Sequence, residues 1–446
     1  MLLNFRFSNF LSFKELTEFS MIPSQVKSQK EHVKKITDEI SALNFSSIYG
    51  ANAAGKSNFT SALQFARTVI ISSEGRVRKN LVRESYYKGD ESFRDENSEF
   101  EFDISIGREI FTYGFSVNLF DFEFQKEWLY KRDGKEDVKI YEINYENGVE
   151  INNISLENLE IKEEDRERFR IYISDANKSD SLFLHYINAI ERKVSYSIEL
   201  YRVYEWFLYS MEIITTLDRA NDSEDVFLNE EDTEKLAEFL NDFGTGIEKI
   251  ERLEINKQDI DDINKKSLNS VINKLIDANK GDDSNSTAGM IRTNENIYFF
   301  SINSNDELII ERIYFIHEGM DSKFPLRAES DGTVRLIDMY GILNTVKDKV
   351  FIVDEIDRSF HPNLTYEFIK RALANNNIQL IVTTHEDRLL DLKLLRRDEI
   401  WFVDKRDNES CLYSLEDYKV RFDKDIMKDY LLGKYGSVPK FNNLFE

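Results

Sequence analysis

Residues 50–57 read Gly-Ala-Asn-Ala-Ala-Gly-Lys-Ser, which matches the phosphate-loop pattern G-x-x-x-x-G-K-[ST] at every fixed position. The apolar residues 45–49 predict a short strand before the loop, and residues 58–71 predict a helix after it. A phosphate-binding loop requires this context, because its glycines let the backbone wrap an anion while the helix N-terminus directs free N–H groups at it. A glycine turn before a surface helix is the alternative, and the agreement of strand, loop and helix argues against it.

The loop predicts that the chain binds a nucleotide. We expect Lys56 to reach the β- and γ-phosphates and Ser57 to ligate Mg²⁺, as in other phosphate-loop enzymes. ATP and Mg²⁺ are therefore the predicted ligands. The residues of this segment that we expect at the nucleotide are Asn52, Ala53, Ala54, Gly55, Lys56, Ser57 and Asn58.

A second motif, in the C-terminal part of the chain, is an apolar strand that ends in two acids. Residues 350–353 are Val-Phe-Ile-Val, and Asp354 and Glu355 follow directly. In phosphate-loop enzymes such a strand carries the Mg²⁺ chemistry. We expect Asp354 to hold the metal through water and Glu355 to orient and polarise the attacking water. Adjacent acids at a strand end can instead cap a turn, but the upstream loop favours the catalytic interpretation.

Another apolar strand, residues 379–384, ends at His385. A histidine after a strand is usually structural or merely exposed. Here the spacing predicts that His385 lies at the end of the neighbouring strand, where its ring contacts the γ-phosphate. His385 is therefore the second predicted catalytic residue beside Glu355.

Residues 329–333 read Glu-Ser-Asp-Gly-Thr and precede an apolar stretch, residues 334–343, that predicts a helix. A serine and a glycine at the start of a helix form an anion-binding N-terminus. Ser-Asp-Gly is also an ordinary turn, and the position of the segment just upstream of the acidic strand favours nucleotide contact. Ser330 and Gly332 are therefore candidate nucleotide-binding residues.

Composition bounds the class of protein. The chain has 446 residues, of which 41% are hydrophobic and 13% aromatic, so it can build a globular core and its length favours two or three domains. A single cysteine, Cys411, excludes an internal disulfide and a metal site built on cysteines, and it fits a reducing cytoplasm. Neither a long apolar run nor a signal-peptide pattern is present. We therefore expect a cytoplasmic protein without a membrane span.

The charge of the chain bears on its partners. The formal net charge is −24, and such a chain repels nucleic acid on average, since phosphate binding needs concentrated Lys and Arg. The basic residues 76–79 are interpreted as a solvated loop after a helix. A local basic patch in an oligomer leaves nucleic-acid binding open, although the charge does not favour it.

The pattern of apolar residues changes along the chain and predicts three parts. Residues 1–154 form the N-terminal half of the core with an antiparallel β lobe, because residues 99–128 alternate apolar and polar positions. Residues 155–290 have mainly helical periodicity and are predicted to be a helical insertion at an oligomer or effector interface. Residues 291–446 form the C-terminal half of the core and the tail.

Two helices are predicted inside the insertion. Ser179 and Asp180 are expected to cap a long helix that continues through Leu217, and residues 230–243 form another helix that is closed by Gly244. The long helix is rich in aromatic residues, which we expect in a helical core or, alternatively, at a subunit or effector interface. These residues are Tyr201, Tyr204, Trp206, Phe207 and Tyr209.

The order of the motifs carries a resemblance. A phosphate loop, a Ser-x-Gly segment, an acidic strand and a strand that ends in histidine together resemble the ATP-binding-cassette class that includes SMC heads. Within this class the chain is similar to the OLD-like ATPases of bacterial phage defence, a group that includes the RloA and AbiL abortive-infection ATPases and the ATPase subunit of the PARIS system. The segments that carry the resemblance are 9–13, 50–58, 354–357 with His361 and Pro362, 383–385, and 430–439.

The resemblance implies an α/β fold, with an ABC-type, SMC-head-like P-loop ATPase core, an antiparallel β lobe and a helical insertion domain. It also implies a homo-oligomer, a dimer or higher, in which subunits form a head-to-tail ATP sandwich. Ser330 and Gly332 of one subunit then close on the γ-phosphate held by Lys56 of another. Asp357 is expected in the loop that crosses between the two sites.

The resemblance to OLD-like ATPases raises the question of a nuclease module. The OLD nucleases add a C-terminal Toprim module, and the stretch after His385 is too short for one together with the last core strand. Asp423 and Asp425 form an Asp-x-Asp pair, which we interpret as helical or as interaction surface. No His/Cys cluster of the HNH type is present either.

An ATP site without a nuclease module predicts a sensor or switch in abortive infection. ATP would close the heads, and the chain would control a separately encoded toxin or nuclease effector, with a phage-encoded component as a possible trigger. Two alternatives stay open, namely an SMC-like ATPase of DNA repair or recombination and a non-hydrolysing, ATP-dependent scaffold.

Overall fold

The structure is a computed structural model of the chain. It describes residues 1–72, 82–134, 136–147, 154–159, 161, 165–176, 181–189, 198–215, 227, 230–280, 288–303, 307–346, 348–418 and 424–436.

The strands are β1 (Leu2–Phe7), β2 (Thr17–Ser20), β3 (Val33–Lys35), β4 (Ser41–Leu43), β5 (Phe45–Gly50), β6 (Asn97–Ile106), β7 (Glu109–Asn118), β8 (Glu123–Asp133), β9 (Glu136–Asn144), β10 (Met211–Ile214), β11 (Ile247–Glu254), β12 (Ala288–Arg292), β13 (Ile297–Ile302), β14 (Leu308–His317), β15 (Lys323–Phe324), β16 (Lys349–Val353), β17 (Ile378–Thr384), β18 (Ile400–Arg406) and β19 (Glu409–Ser414). The α-helices are α1 (Lys56–Ile71), α2 (Arg166–Ala176), α3 (Phe183–Ala189), α4 (Ile198–Glu205), α5 (Glu230–Asp242), α6 (Lys265–Lys280), α7 (Asp331–Asn344), α8 (Pro362–Leu373) and α9 (Ile426–Leu431).

The chain divides into two compact units. The first unit contains Met1–Asp218, Thr345–Arg358 and Thr365–Glu446, and the second contains Arg219–Asn344 and Ser359–Leu364. These limits differ from those of the predicted segments 1–154, 155–290 and 291–446, and that division stays a prediction.

The central sheet of the first unit has the strand order β10-β16-β17-β5-β18-β19. Its first five strands run parallel, and β19 is antiparallel to β18. The strands β5, β16 and β17 are almost continuously buried, as expected for parallel strands that are covered on both faces. In register, Val353 faces Val382, and Thr384 faces Tyr49. The carboxyl ends of these three strands therefore meet at one edge.

The other large sheet of the first unit, β2-β1-β6-β7-β8-β9, is antiparallel throughout. Its apolar residues, for example Phe100 and Phe102, share one hydrophobic cluster with Phe59 and Leu63 of α1 and with Ile48 of the central sheet. This shared core fixes the helix that follows the phosphate loop against both sheets. The predicted α/β fold, with a phosphate-loop strand and helix in its core and an antiparallel β lobe, is confirmed.

The second unit is built on a separate antiparallel sheet with the order β11-β14-β13-β12, to which β15 adds beside β14. Leu236 and Leu240 of α5 pack with Phe315 of β14 and Leu336 of α7 in one cluster. Helix α6 packs on the same sheet through a smaller cluster that includes Leu268. Strands β13 and β14 of this sheet are neighbours in the chain and pair with each other in antiparallel orientation.

The predicted long helix through Leu217 is wrong in its described part. Helix α4 ends at Glu205, a π-helical turn (Trp206–Ser210) follows, and Met211–Ile214 forms β10 beside the acidic strand β16. The segment is a strand because it pairs in parallel with a strand that lies far away in the sequence. The local helical periodicity contains no information about this pairing. The segment 155–290 is thus mixed, since it contains β10 and β11 as well as helices.

The aromatic residues of this segment divide between core and surface. Tyr204, Trp206 and Phe207 are buried, whereas Tyr201 and Tyr209 are exposed by 46% and 63%. The helix predicted at 230–243 is confirmed as α5, and Gly244 after it has a left-handed φ of 76°.

Some predictions concern residues outside the described part of the chain. These are the basic residues 76–79, the helix cap at Ser179 and Asp180, and Asp423. In the part that is described, no helix is both long and apolar enough to cross a membrane.

Candidate nucleotide-binding site

The loop at residues 50–57 connects β5 to α1 at the edge where the parallel strands end. Ala53 and Gly55 have positive φ values of 62° and 121°. Such residues turn successive backbone N–H groups toward one side, which is how an anion-binding nest forms. Close approaches also require the two glycines, because a Cβ on Gly50 would lie 2.6 Å from the Val403 carbonyl oxygen and one on Gly55 would lie 2.4 Å from Ser410 Oγ.

Lys56 is buried at the start of α1. Its Nζ donates a hydrogen bond of 2.7 Å to the Gly50 carbonyl oxygen, so the side chain folds back over its own loop. Burial lowers the pKa of Lys56 to about 8, and the nearby carboxylates of Glu355, Asp354 and Asp357 oppose this shift. The ammonium group is thus poorly solvated, and an anion at the loop would stabilise its charged form.

Hydroxyl groups from both ends of the chain support the loop. Ser410 Oγ donates to the Ala54 carbonyl oxygen at 2.6 Å, and the Ser12 and Ser410 hydroxyl oxygens are 2.7 Å apart. Asn58, which we predicted at the nucleotide, donates its Nδ2 to Ser12 Oγ at 2.6 Å. In this structure the Asn58 side chain therefore braces the loop, and only Asn52, Ala53 and Ser57 of the predicted loop residues are exposed.

The two acids lie where β16 ends. Asp354 is buried, and its Oδ1 accepts a hydrogen bond of 2.6 Å from Thr383 Oγ1 on the neighbouring strand β17. Its backbone N–H donates to the Ile214 carbonyl oxygen of β10 at 2.9 Å. Glu355 follows with a left-handed φ of 48°, which turns the chain sharply away from the sheet.

Asp357 and His385 lie together at the same edge. Asp357 Oδ1 accepts hydrogen bonds from Thr384 Oγ1 at 2.7 Å and from the His385 backbone N–H at 3.2 Å. Partial burial and then the positive charge of Lys56 lower the pKa of His385, while Asp357 and the other two carboxylates oppose the shift. The lowered pKa favours the neutral ring, which can donate a hydrogen bond from one nitrogen and accept one at the other.

Ser330 and Gly332 lie in the second unit, where α7 begins. Ser330 Oγ accepts a hydrogen bond of 3.1 Å from the Thr333 backbone N–H, as an N-cap residue does. A Cβ on Gly332 would lie 2.9 Å from the Ser359 carbonyl oxygen, so the backbone approach here requires glycine. The predicted helix start is therefore present.

The structure brings Lys56, Asp354, Glu355, Asp357 and His385 to one edge of the central sheet. The sequence places Thr383 and Thr384 in the predicted strand, but it indicates no role for them in the site. It indicates no role for Ser12 and Ser410 either, since no local pattern connects residues so far apart in the chain.

The donors at this edge fit a nucleotide with its metal. The exposed Ser57 at the start of α1 and the Asp354 carboxylate at the end of β16 provide oxygen donors, which Mg²⁺ prefers when it keeps several water ligands. Lys56 and the left-handed loop provide positive charge and N–H groups for phosphates. Together with the parallel sheet, they define the class, an α/β core that carries a P-loop.

Comparison with known proteins identifies the family. A family model described as "AAA domain, putative AbiEii toxin, Type IV TA system" matches residues 45–391. This match spans most of the chain, and the protein therefore belongs to this family. A search of curated protein sequences found no match.

Two solved structures match this chain at low sequence identity. The SmcHead in the crystal structure of the SmcHead bound to the C-winged helix domain of ScpA is 15% identical, with a TM-score of 0.39, and the match covers 94% of this chain and 99% of that chain. The SMC head domain from Thermotoga maritima is 12% identical, with a TM-score of 0.38 and coverage of 93% and 98%.

Proposed function

We propose that the chain binds ATP with Mg²⁺ and hydrolyses it. The observation that carries the proposal is the convergence of Lys56, Asp354, Glu355 and His385 at the carboxyl ends of adjacent parallel strands. In open α/β sheets ligands bind at this edge. Membership of an AAA family agrees with this proposal.

Each residue has a distinct task in the proposed reaction. The loop N–H groups and Lys56 hold the β- and γ-phosphates, and Ser57 and Asp354 would hold Mg²⁺, which neutralises charge on the phosphates when it is bound. Glu355 accepts the proton of the attacking water as a general base. His385, whose lowered pKa favours the neutral ring, contacts the γ-phosphate and orients it.

The site is proposed to be completed by a second copy of the chain. Ser330 and Gly332 lie at a helix N-terminus, which suits the γ-phosphate held by Lys56 of another subunit. Asp357, which receives hydrogen bonds from Thr384 and His385, would then transmit contact between the two sites. The resulting arrangement is a head-to-tail homo-oligomer.

The wider proposal is a switch in anti-phage abortive infection, of the OLD-like kind. The state of the ATP site would hold or release a separately encoded toxin or nuclease effector after a phage-encoded trigger. The family description, which names a toxin and a Type IV toxin–antitoxin system, supports this class of role.

Assembly can be tested by mass measurement with and without ATP and Mg²⁺. Glu355→Gln should accumulate as an ATP-loaded dimer or higher assembly, because it binds ATP without consuming it. Glu355→Gln combined with Lys56→Met, or with Ser330→Arg, should remain at the mass of the unassembled protein. If the measured mass of all three proteins is the same with and without ATP, the proposed sandwich is contradicted.

The defence role is tested in cells that carry the gene with its genomic neighbours. The proposal predicts protection from phage by the wild type, loss of protection with Lys56→Met, and loss when the adjacent effector gene is deleted. Protection that persists without any neighbouring gene contradicts control of a separate effector.

A further inference from the structure

The side chain of Thr383 lies between the two acids of the candidate site. Thr383 belongs to β17, is fully buried, and has its hydroxyl 2.6 Å from Asp354 Oδ1. The same hydroxyl oxygen lies 2.8 Å from the backbone nitrogen of Glu355. One buried hydroxyl therefore contacts the residue proposed to hold the metal and the residue proposed to activate water.

The directions of these two hydrogen bonds follow from the chemistry of the groups. A backbone N–H can only donate, so Thr383 Oγ1 accepts from Glu355. A hydroxyl has one proton, and an ionised carboxylate only accepts, so Thr383 donates that proton to Asp354. The Asp354 bond is charge-assisted, and it fixes the orientation of the carboxylate. Valine at this position would be similar in shape but would support neither bond.

The backbone around Glu355 depends on the same threonine. Glu355 has a φ of 48°, a left-handed conformation that residues with a side chain rarely adopt. Besides the Glu355 N–H bond to the Thr383 hydroxyl, the Ile356 N–H donates to the Thr383 carbonyl oxygen at 3.0 Å. Thr383 thus holds two successive amides of the turn, and such strained conformations persist only where their surroundings fix them.

The adjacent residue makes a different set of contacts. Thr384 Oγ1 donates to Asp357 at 2.7 Å. The two threonines at the end of β17 therefore contact different acids. Thr383 contacts Asp354 and Glu355, whereas Thr384 contacts the loop residue Asp357. A substitution of Thr383 should therefore affect Asp354 and Glu355, whereas a substitution of Thr384 should affect Asp357.

We propose that Thr383 is a positioning residue that sets the metal-holding Asp354 and the water-activating Glu355 in a single geometry. The inference rests on the proposed ATPase function and deepens it. Through Asp354, the hydroxyl supports Mg²⁺ in the nucleotide complex, and through the Glu355 amide, it aims the general base. Removal of hydrogen-bonding partners behind metal ligands typically weakens metal binding or activity by about 10- to 100-fold.

The test compares Thr383→Val with Thr383→Ser, which keeps the hydroxyl. Thr365→Val is the matched control, because Thr365 is also fully buried and its hydroxyl has no hydrogen-bond partner among the described residues. The first readout is the Mg²⁺ concentration that half-saturates binding of a fluorescent ATP analogue, which requires no turnover. The second is hydrogen exchange of the Glu355 amide in the protein without nucleotide, and the third is phosphate release.

The proposal predicts a clear split among the variants. Thr383→Val should need about 10- to 100-fold more Mg²⁺, exchange the Glu355 amide faster and release phosphate more slowly, while Thr383→Ser and Thr365→Val behave as the wild type. A folded Thr383→Val protein with wild-type Mg²⁺ dependence overturns the inference, and so does Thr383→Ser with the behaviour of valine. If Thr383→Val does not fold, Thr383→Ala is measured against the same expectations.

Failure of the underlying function gives a different result. A wild-type protein that does not bind the ATP analogue in the presence of Mg²⁺ overturns the proposed ATPase function itself. Normal Mg²⁺-dependent binding by the wild type, with Thr383→Val indistinguishable from it, overturns only the positioning role.

Discussion

Replacement of Gly55 by alanine tests whether the loop must keep its observed shape in order to bind nucleotide. Gly55 has a φ of 121°, which lies outside the conformations that alanine readily adopts, and its added Cβ would lie 2.4 Å from Ser410 Oγ. The backbone strain alone costs of the order of 1–3 kcal/mol. The Ser410 hydroxyl cannot turn away without weakening its 2.6 Å hydrogen bond to Ala54, which adds about 0.5–1.5 kcal/mol.

The sum, about 1.5–4.5 kcal/mol, disfavours the binding-competent loop relative to relaxed alternatives. Since 1.4 kcal/mol is a factor of ten in an equilibrium constant, the ATP affinity of Gly55→Ala should fall by roughly 10- to 1,600-fold. Titration with a fluorescent ATP analogue in Mg²⁺ measures this directly. Adding Ser410→Gly should recover only the steric part, because the φ strain remains.

Gly107→Ala is the matched control for this prediction. Gly107 also has a positive φ, 63°, but a Cβ there would meet no atom of the described part of the chain within 4 Å, and the residue lies in the turn between β6 and β7. We expect it to lower the free energy of unfolding by about 1 kcal/mol and to leave ATP affinity unchanged. Wild-type ATP affinity in Gly55→Ala would refute the assignment of this loop as the phosphate site.

Two further predictions concern buried charges. The pKa of Lys56 is lowered from 10.5 to about 8 in the folded protein, so between these pH values the unfolded chain binds more protons, and stability should rise with pH relative to Lys56→Met. This pH-dependent gain in stability should reach up to about 3 kcal/mol by pH 10.5. Below pH 8 both states are protonated, so the difference in stability between the two proteins does not change with pH there. Urea unfolding across pH 7–10.5 measures the gain, and parallel curves for the two proteins over the whole range would contradict it. Glu127 is fully buried and accepts hydrogen bonds from the hydroxyls of Tyr113 and Tyr141 and from the N–H groups of Phe183 and Leu184. Glu127→Gln turns an NH₂ group toward some of these donors and should lower the free energy of unfolding by about 2–4 kcal/mol. An unchanged urea midpoint would show that the carboxylate does not stabilise the packing of α3 on the β lobe.

The sequence predicted the strands and loops that carry the candidate site where the signal was local. The loop around Lys56 and the acids at Asp354 and Glu355 lie in contiguous motifs, and parallel strands bring their carboxyl ends to one edge once each strand is recognised. Asn58 was placed at the nucleotide, but its side chain donates to Ser12, a residue that only the tertiary fold brings near. The role of Thr383 likewise depends on the register between β16 and β17, which no single-strand pattern encodes.

The helix predicted through Leu217 is wrong for the same reason, because contacts between residues far apart in the chain determine the structure there. Met211–Ile214 follows a helix-like pattern but pairs with β16 as an edge strand of the central sheet. Non-local hydrogen bonds of this kind override local periodicity. The exposed Tyr209 lies beyond the end of α4 at Glu205, whereas the exposed Tyr201 lies within α4.

The measurement that tests the central claim most directly is phosphate release from ATP with Mg²⁺ by the full chain and by Glu355→Gln. Glu39→Gln, which changes a remote exposed carboxylate, serves as the control. We expect Mg²⁺-dependent release by the wild type and the control, and a fall of about 10²- to 10⁴-fold in Glu355→Gln, which still binds ATP. Equal release by wild type and Glu355→Gln, or none by a wild type that binds ATP and assembles, would contradict the claim that this edge of the sheet hydrolyses ATP.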